Sequence, residues 1–139
     1  MNYTRLALAS VAAFAAYMVL GGLIFGAVPS LKDEFLKYPD VYRSQQGQMS
    51  HMPTGMAAML LSMVVLAVLY AKMFKSVSGF VEGATFGALI GLYAIGSFVV
   101  HNYVNLNIGL KITVVSAIAY FVEWTVVGIV IGLVYKPAS

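Results

Sequence analysis

Four almost unbroken apolar stretches, Leu6 to Val28, Pro53 to Ala71, Gly79 to Val100 and Ile112 to Tyr135, take up most of this 139-residue chain. Each is close to the roughly 20 residues that a helix needs to cross the hydrocarbon core of a bilayer. A backbone surrounded by lipid must satisfy its own N–H and C=O groups, so each stretch is expected as a helix rather than an open strand. The fold class that follows is all-α, an integral membrane four-helix transmembrane bundle. Only 9% of the residues are charged, against roughly 25% in soluble domains. The longest segment between spans, Pro29 to Met52, is too short to bury a core of its own, so one transmembrane domain, 1–139, is expected.

Several partners and compartments follow from what the chain carries. It has no cysteine, which removes disulfides, thiolate metal sites and cysteine nucleophiles. The net charge of +3 comes from Lys and Arg scattered singly near span ends. That is the placement of snorkelling anchors for the lipid bilayer, and no basic run suggests nucleic acid. The first apolar run is longer than the core of a secretory signal and carries Gly21, Gly22 and Gly26, so it is expected as a retained span. Four spans put both termini on one face together with the segment from Lys72 to Ser78. The Lys and Arg counts on the two faces are equal, but basic residues are denser on this one, which leans toward both termini lying in the cytoplasm.

In the first loop, Ser30-Leu31-Lys32-Asp33 offers a capping-box-like start. Leu31, Phe35 and Leu36 would share one face of a short interfacial helix. Tyr38 and Tyr42 suit the headgroup level, and Ser44 to Ser50 reads as turn and loop before the second span. This segment is expected either as a connector resting on the membrane or as a lid over an outer pocket.

Small residues mark the packing faces. Gly79, Gly83, Gly87 and Gly91 recur every four residues, and Gly22 with Gly26 and Gly128 with Gly132 repeat the spacing once each. Between helices in lipid, association depends on close backbone approach, which such spacing allows. The device serves packing within the chain or assembly into a homo-oligomer or larger membrane complex.

Glu123 needs the most explanation, because an ionised carboxylate near mid-span costs about 3 kcal/mol or more. At helical spacing Thr113, Ser116, Tyr120 and Glu123 form a polar stripe expected to face the bundle interior. Tyr17 and Tyr93 are expected at similar depth, so a neutral acid bonded to tyrosine hydroxyls is the economical arrangement. Glu82, nearer a span end, is expected to meet Lys72 or Lys75. A second constellation comes from treating the second and third spans as an antiparallel hairpin, which puts His51 and His101 at matched height. Inward-pointing rings could ligate haem, or could hold copper with Met49 and Met52. Met52, Met56, Met59 and Met63 continue at helical spacing, where methionine also serves simply as adaptable packing.

No phosphate-binding glycine loop, catalytic serine set or deep lysine is present, so enzymatic catalysis is not expected. The segments "GALIGLYAIG" and "EWTVVGIVIGLVYK", with the four spans and the outer loop, resemble small four-helix bacterial membrane proteins of unknown function. The resemblance implies a four-span bundle and no activity. In size and span number the chain is also similar to small multidrug transporters, whose essential glutamate lies in the first helix, where this chain has no acid. Two functions are therefore expected: a non-catalytic accessory subunit or self-associating bundle, and a proton-coupled transporter or ligand binder using Glu123 with Tyr17, Tyr93, Tyr120 and Ser116.

Overall fold

The computed structural model describes residues 1–27, 29–73 and 78–136. Of the described residues 88% are helical, and none lies in a strand. The elements are α1 (Tyr3–Ala27), α2 (Pro29–Leu36), α3 (Gln45–Met73), α4 (Gly79–Ala94), α5 (His101–Asn105) and α6 (Leu110–Tyr135). A π-helical segment, Ile95–Val100, joins α4 to α5 in one continuous rod. Four rods, Tyr3–Gly26, Gln45–Met73, Gly79–Asn105 and Leu110–Tyr135, are long and apolar enough to cross a membrane. The protein is thus built as a multi-pass membrane protein. Two span ends differ from expectation. The polar run before Pro53 is helical from Gln45, where Ser50 Oγ returns a bond to the Gly47 carbonyl at 2.9 Å. The third rod runs on through His101 to Asn105, leaving a turn of only a few residues before α6.

Glycine determines the closest contact in the bundle. A Cβ added at Gly79 would strike the backbone of Gly132, one at Gly83 that of Gly128, and one at Gly87 that of Trp124 and Thr125. As α4 advances by four residues α6 retreats by four, so the two rods are antiparallel with their backbones in direct contact. Gly91 ends the seam, where an added Cβ would lie 3.2 Å from Phe121 Cα. The ridge in the third span is therefore consumed inside the chain. Gly22 and Gly26 take no part in close packing within the chain: among the described residues nothing lies within 4 Å of where their Cβ atoms would be. They border a cavity of about 620 Å³ between α1 and the first loop, while α1 meets α6 through Tyr17 and Gly21.

The apolar core sits toward the end of the bundle that holds both termini. Leu6, Ala9 and Ala13 of α1 meet Met63, Leu66, Ala67 and Tyr70 of α3, Phe86 of α4, and Val127, Ile131 and Tyr135 of α6. Tyr70 packs edge-on against Phe86 and Tyr135, with ring centroids 5.5 and 6.4 Å apart. Arg5 donates to the Lys136 carbonyl at 2.9 Å, tying the two terminal segments together.

The hairpin expected from spans two and three is not a packed pair. α3 lies on α1 and touches α6, while its contact with α4 is marginal. The cause is local: the small-residue face of α4 is taken by α6, so α4 turns Leu89, Leu92 and Tyr93 outward. A laterally open cleft of about 600 Å³ remains between α3 and α4.

Candidate functional site at Glu123

Above the core, toward the loop end, packing gives way to a cavity of about 230 Å³. Its walls include Thr113, Ser116, Tyr120 and Glu123, so the polar stripe of α6 faces inward. α1 contributes Tyr17 and Phe25, and the third rod contributes Phe98, Val99 and Asn102. Phe98 and Val99 belong to the π segment, whose wider turn shifts the register of the side chains that follow. Such single-turn insertions often mark functional positions in helices.

Glu123 is 1% exposed, and its Oε1 has no hydrogen-bond partner among the described residues. The carboxylate is seated against a bare stretch of α1 backbone, since a Cβ added at Gly21 would lie 3.3 Å from Oε1. Among the described residues no Lys, Arg or His lines the cavity, and the other titratable side chains on its walls are Tyr17, Tyr42 and Tyr120. The expected bond from a tyrosine hydroxyl to Oε1 is absent. Thr113 is spoken for as well, because its Oγ1 donates to the Gly109 carbonyl at 3.0 Å. A buried acceptor left in this condition costs roughly 1–3 kcal/mol, and an unpaired charge costs more.

The first loop roofs the cavity. Phe35 of α2 packs edge-on against Phe25 and Tyr42, at 5.7 and 4.9 Å between centroids, and all three rings line the cavity. Two attachments hold the roof to α6. The Tyr38 hydroxyl accepts the Gly109 N–H at 3.0 Å, and Glu34 pairs with Lys111 at 3.1 Å and with Lys37 at 2.7 Å. Glu34 is 4% exposed, shielded by these neighbours at the periphery of the molecule rather than by depth. The hydrogen bond from Lys37, then that from Lys111, holds its carboxyl below the ordinary value of 4.5. The same bond raises Lys37 above its ordinary 10.5. With these contacts Glu34 and Leu31 are the buried positions on α2, and Leu36 is exposed.

Other sequence candidates fall elsewhere. Tyr93 is 72% exposed on the wall of the lateral cleft and does not reach Glu123. It points away because the opposite face of α4 is committed to the glycine seam. His51 and His101 are both exposed, and no described cavity is lined by both. His51 Nδ1 lies 2.9 Å from the Gly47 carbonyl and 3.0 Å from Ser50 Oγ. Met52 borders a shallow recess with His51, Met49 is exposed, and the methionine row ends in fully buried Met63. Among the described residues no group of three or more His, Asp or Glu side chains is placed to hold a metal. Glu82 makes no ion pair with Lys72; Lys75 lies outside the described residues.

Sequence reasoning passed over part of the site. Gly21 and Phe25 follow the expected Tyr17 at four-residue spacing and share its face of α1 toward Glu123, a spacing visible in the chain. Phe98 and Asn102 are likewise four apart, but their inward direction depends on the π segment. Trp124 packs against Tyr17 at 5.6 Å between ring centroids, and its Nε1 has no partner among the described residues.

Residues 8–132 match the family described as "Protein of unknown function (DUF1761)", and the chain belongs to that family. No curated protein and no solved structure matches the chain.

Proposed function

We propose that this DUF1761 chain is a non-catalytic ligand-binding membrane bundle in which Glu123 takes up a proton or a small cation from a roofed internal cavity. One observation carries the reading: a fully buried carboxyl oxygen with no partner among the described residues, set in the wall of a cavity of about 230 Å³. A carboxylate at this depth is too costly to leave charged and alone, by roughly 3 kcal/mol or more. Its neutralising partner therefore comes from outside the protein. Tyr17, Tyr42 and Tyr120 are the titratable groups facing it, and Thr113, Ser116 and Asn102 add polarity to the walls. Intramembrane acids on such walls mark ion, proton or ligand pathways. Insertion in a bacterial cytoplasmic membrane with both termini inside places the roof on the outer face.

The alternative of a passive subunit is weakened by the glycine seam, which α4 and α6 use on each other. The discriminating experiment is labelling with a lipophilic carbodiimide in reconstituted vesicles, read by peptide mass. Reaction at Glu123, absent in Glu123→Gln, is the expected result. Glu123→Gln itself should keep the fold, with stability within about 1 kcal/mol of the parent, because amide and neutral acid have similar bonding capacity. An inert Glu123 in a folded protein would mean a dry packing residue and would overturn the proposal.

A further inference from the structure

Two cavities meet at three aromatic side chains. Tyr17, Phe98 and Tyr120 line both the chamber at Glu123 and the cleft between α3 and α4. Phe98 and Tyr120 stand together, 5.7 Å between ring centroids, and Tyr17 stands against Trp124. Among the described residues the chamber walls hold one acid and no base, and half of them are aromatic. The cleft is different: about 600 Å³, nearly all apolar, and open on the side where α3 and α4 make only marginal contact.

We infer that the site takes an amphipathic organic cation, with an ammonium head beside Glu123 inside the ring of Tyr17, Phe98 and Tyr120 and an apolar tail in the α3–α4 cleft. This rests on the reading of Glu123 as a ligand site and names its ligand class. The head is argued from charge and shape. A cation gains from the carboxylate and from the faces of aromatic rings, and aromatic enclosure is a recurrent means of binding quaternary ammonium groups. No Lys, Arg or His on the chamber walls opposes it. An anion would meet the acid, and a neutral polar molecule would leave the acid without its counter-charge. A chamber of about 230 Å³ lies under the roughly 300–1,000 Å³ that encloses drug-sized ligands, so it suits the head alone. The tail is argued from continuity. Leu69, Val65 and Ile90 line the cleft on its two sides, and the cleft opens toward the acyl chains from which such a molecule would enter.

The test uses tetramethylammonium and a short series of ethyl- to hexyltrimethylammonium salts on the whole protein in nanodiscs. Binding is followed by calorimetry and by the fluorescence of Trp124, the single tryptophan, which lines the cleft. The uncharged tert-butyl alcohols of matching length serve as neutral counterparts. Tetramethylammonium should bind, and affinity should rise by roughly fourfold per added methylene as the tail enters the cleft. Glu123→Gln should weaken the whole series by about tenfold or more. Tyr120→Leu should weaken it by about fivefold, whereas Tyr120→Phe, which keeps the ring face, should bind like the parent. Val65→Trp, at a half-exposed position on the cleft, should remove the chain-length gain and leave tetramethylammonium unaffected. Equal binding of the neutral alcohols, or unchanged binding in Glu123→Gln, overturns the cation assignment. Affinity that does not change with tail length overturns the cleft assignment. Carbodiimide labelling of Glu123 without any ammonium binding refutes the ligand class while leaving the acid site standing; an inert Glu123 refutes both.

Discussion

The two halves of α6 solve opposite problems with one helix. From Trp124 to Tyr135 it offers Gly128 and Gly132 to the α4 backbone and buries Val127, Ile131 and Tyr135 in the core. From Thr113 to Glu123 it offers hydroxyls and an acid to a cavity. Lipid provides little hydrophobic drive between helices, so the lower half gains stability from backbone proximity. The upper half gives up that proximity and leaves a buried oxygen without a partner. What differs is residue size. Where α4 and α6 both carry glycine the rods touch, and where Tyr17, Phe98 and Tyr120 replace small residues they separate around a chamber. Rigidity at one end thereby fixes the position of the acid at the other.

The largest effect that should distinguish the halves is Gly87→Leu. Its side chain would have to displace the backbone of Trp124 and Thr125, and overpacking of this kind is expected to cost on the order of 3 kcal/mol or more. Thermal unfolding in detergent should show it, and an unchanged midpoint would mean that the glycine seam does not hold the bundle. Next comes Tyr38→Phe, which frees the Gly109 N–H from the roof. A loss of about 1 kcal/mol is expected, concentrated as faster hydrogen exchange near residues 38–42 and 109; uniform protection would sever the link between loop and site.

A smaller effect follows from Glu34, since its partners are exposed to solvent and screened. Its carboxyl is held below 4.5, so its contribution is fully present above that pH and is lost as pH falls through the lower folded value. Lys37, raised above 10.5, contributes fully below that and loses its part only as pH climbs through the raised value. Exchange in residues 30–42 should therefore be slow between these limits and should quicken on acidification, with Glu34→Gln abolishing the acid step. The smallest effect belongs to Gly22→Leu. Its Cβ meets open space, so stability should stay within about 0.5 kcal/mol, and a large loss would reveal a contact between copies of the chain at that face.

How far the sequence could be read depended on range. The spans were legible because hydrophobic length is a local property, and the α4 seam because Gly79, Gly83, Gly87 and Gly91 repeat within one turn of each other. The inward direction of Thr113, Ser116, Tyr120 and Glu123 followed from spacing on one helix. Partner choice was less legible. Tyr93 was placed by depth alone, yet depth does not tell which face of α4 the seam would occupy, and it points away. His51 and His101 were paired on the assumption that consecutive spans pack together, whereas α3 chose α1. Phe35 and Tyr42 reach the site through a folded loop; a lid was one of the two readings of this segment, but local spacing does not tell which rings it would lay over the acid. Asn102 lies on the cavity wall just beyond the π segment, which has no strong sequence signature.

The contrast between a dense end and a hollow end is tested most directly by cysteine accessibility, since the chain has no native cysteine. Ser116→Cys is nearly isosteric and lies on the chamber wall; Ala13→Cys lies in the core, where Ala13 is fully buried. In nanodiscs a small, water-soluble, positively charged methanethiosulfonate should modify Ser116→Cys and leave Ala13→Cys untouched. If both positions stay unmodified, the chamber at Glu123 is closed and dry, and the account of a cation-accepting acid is contradicted.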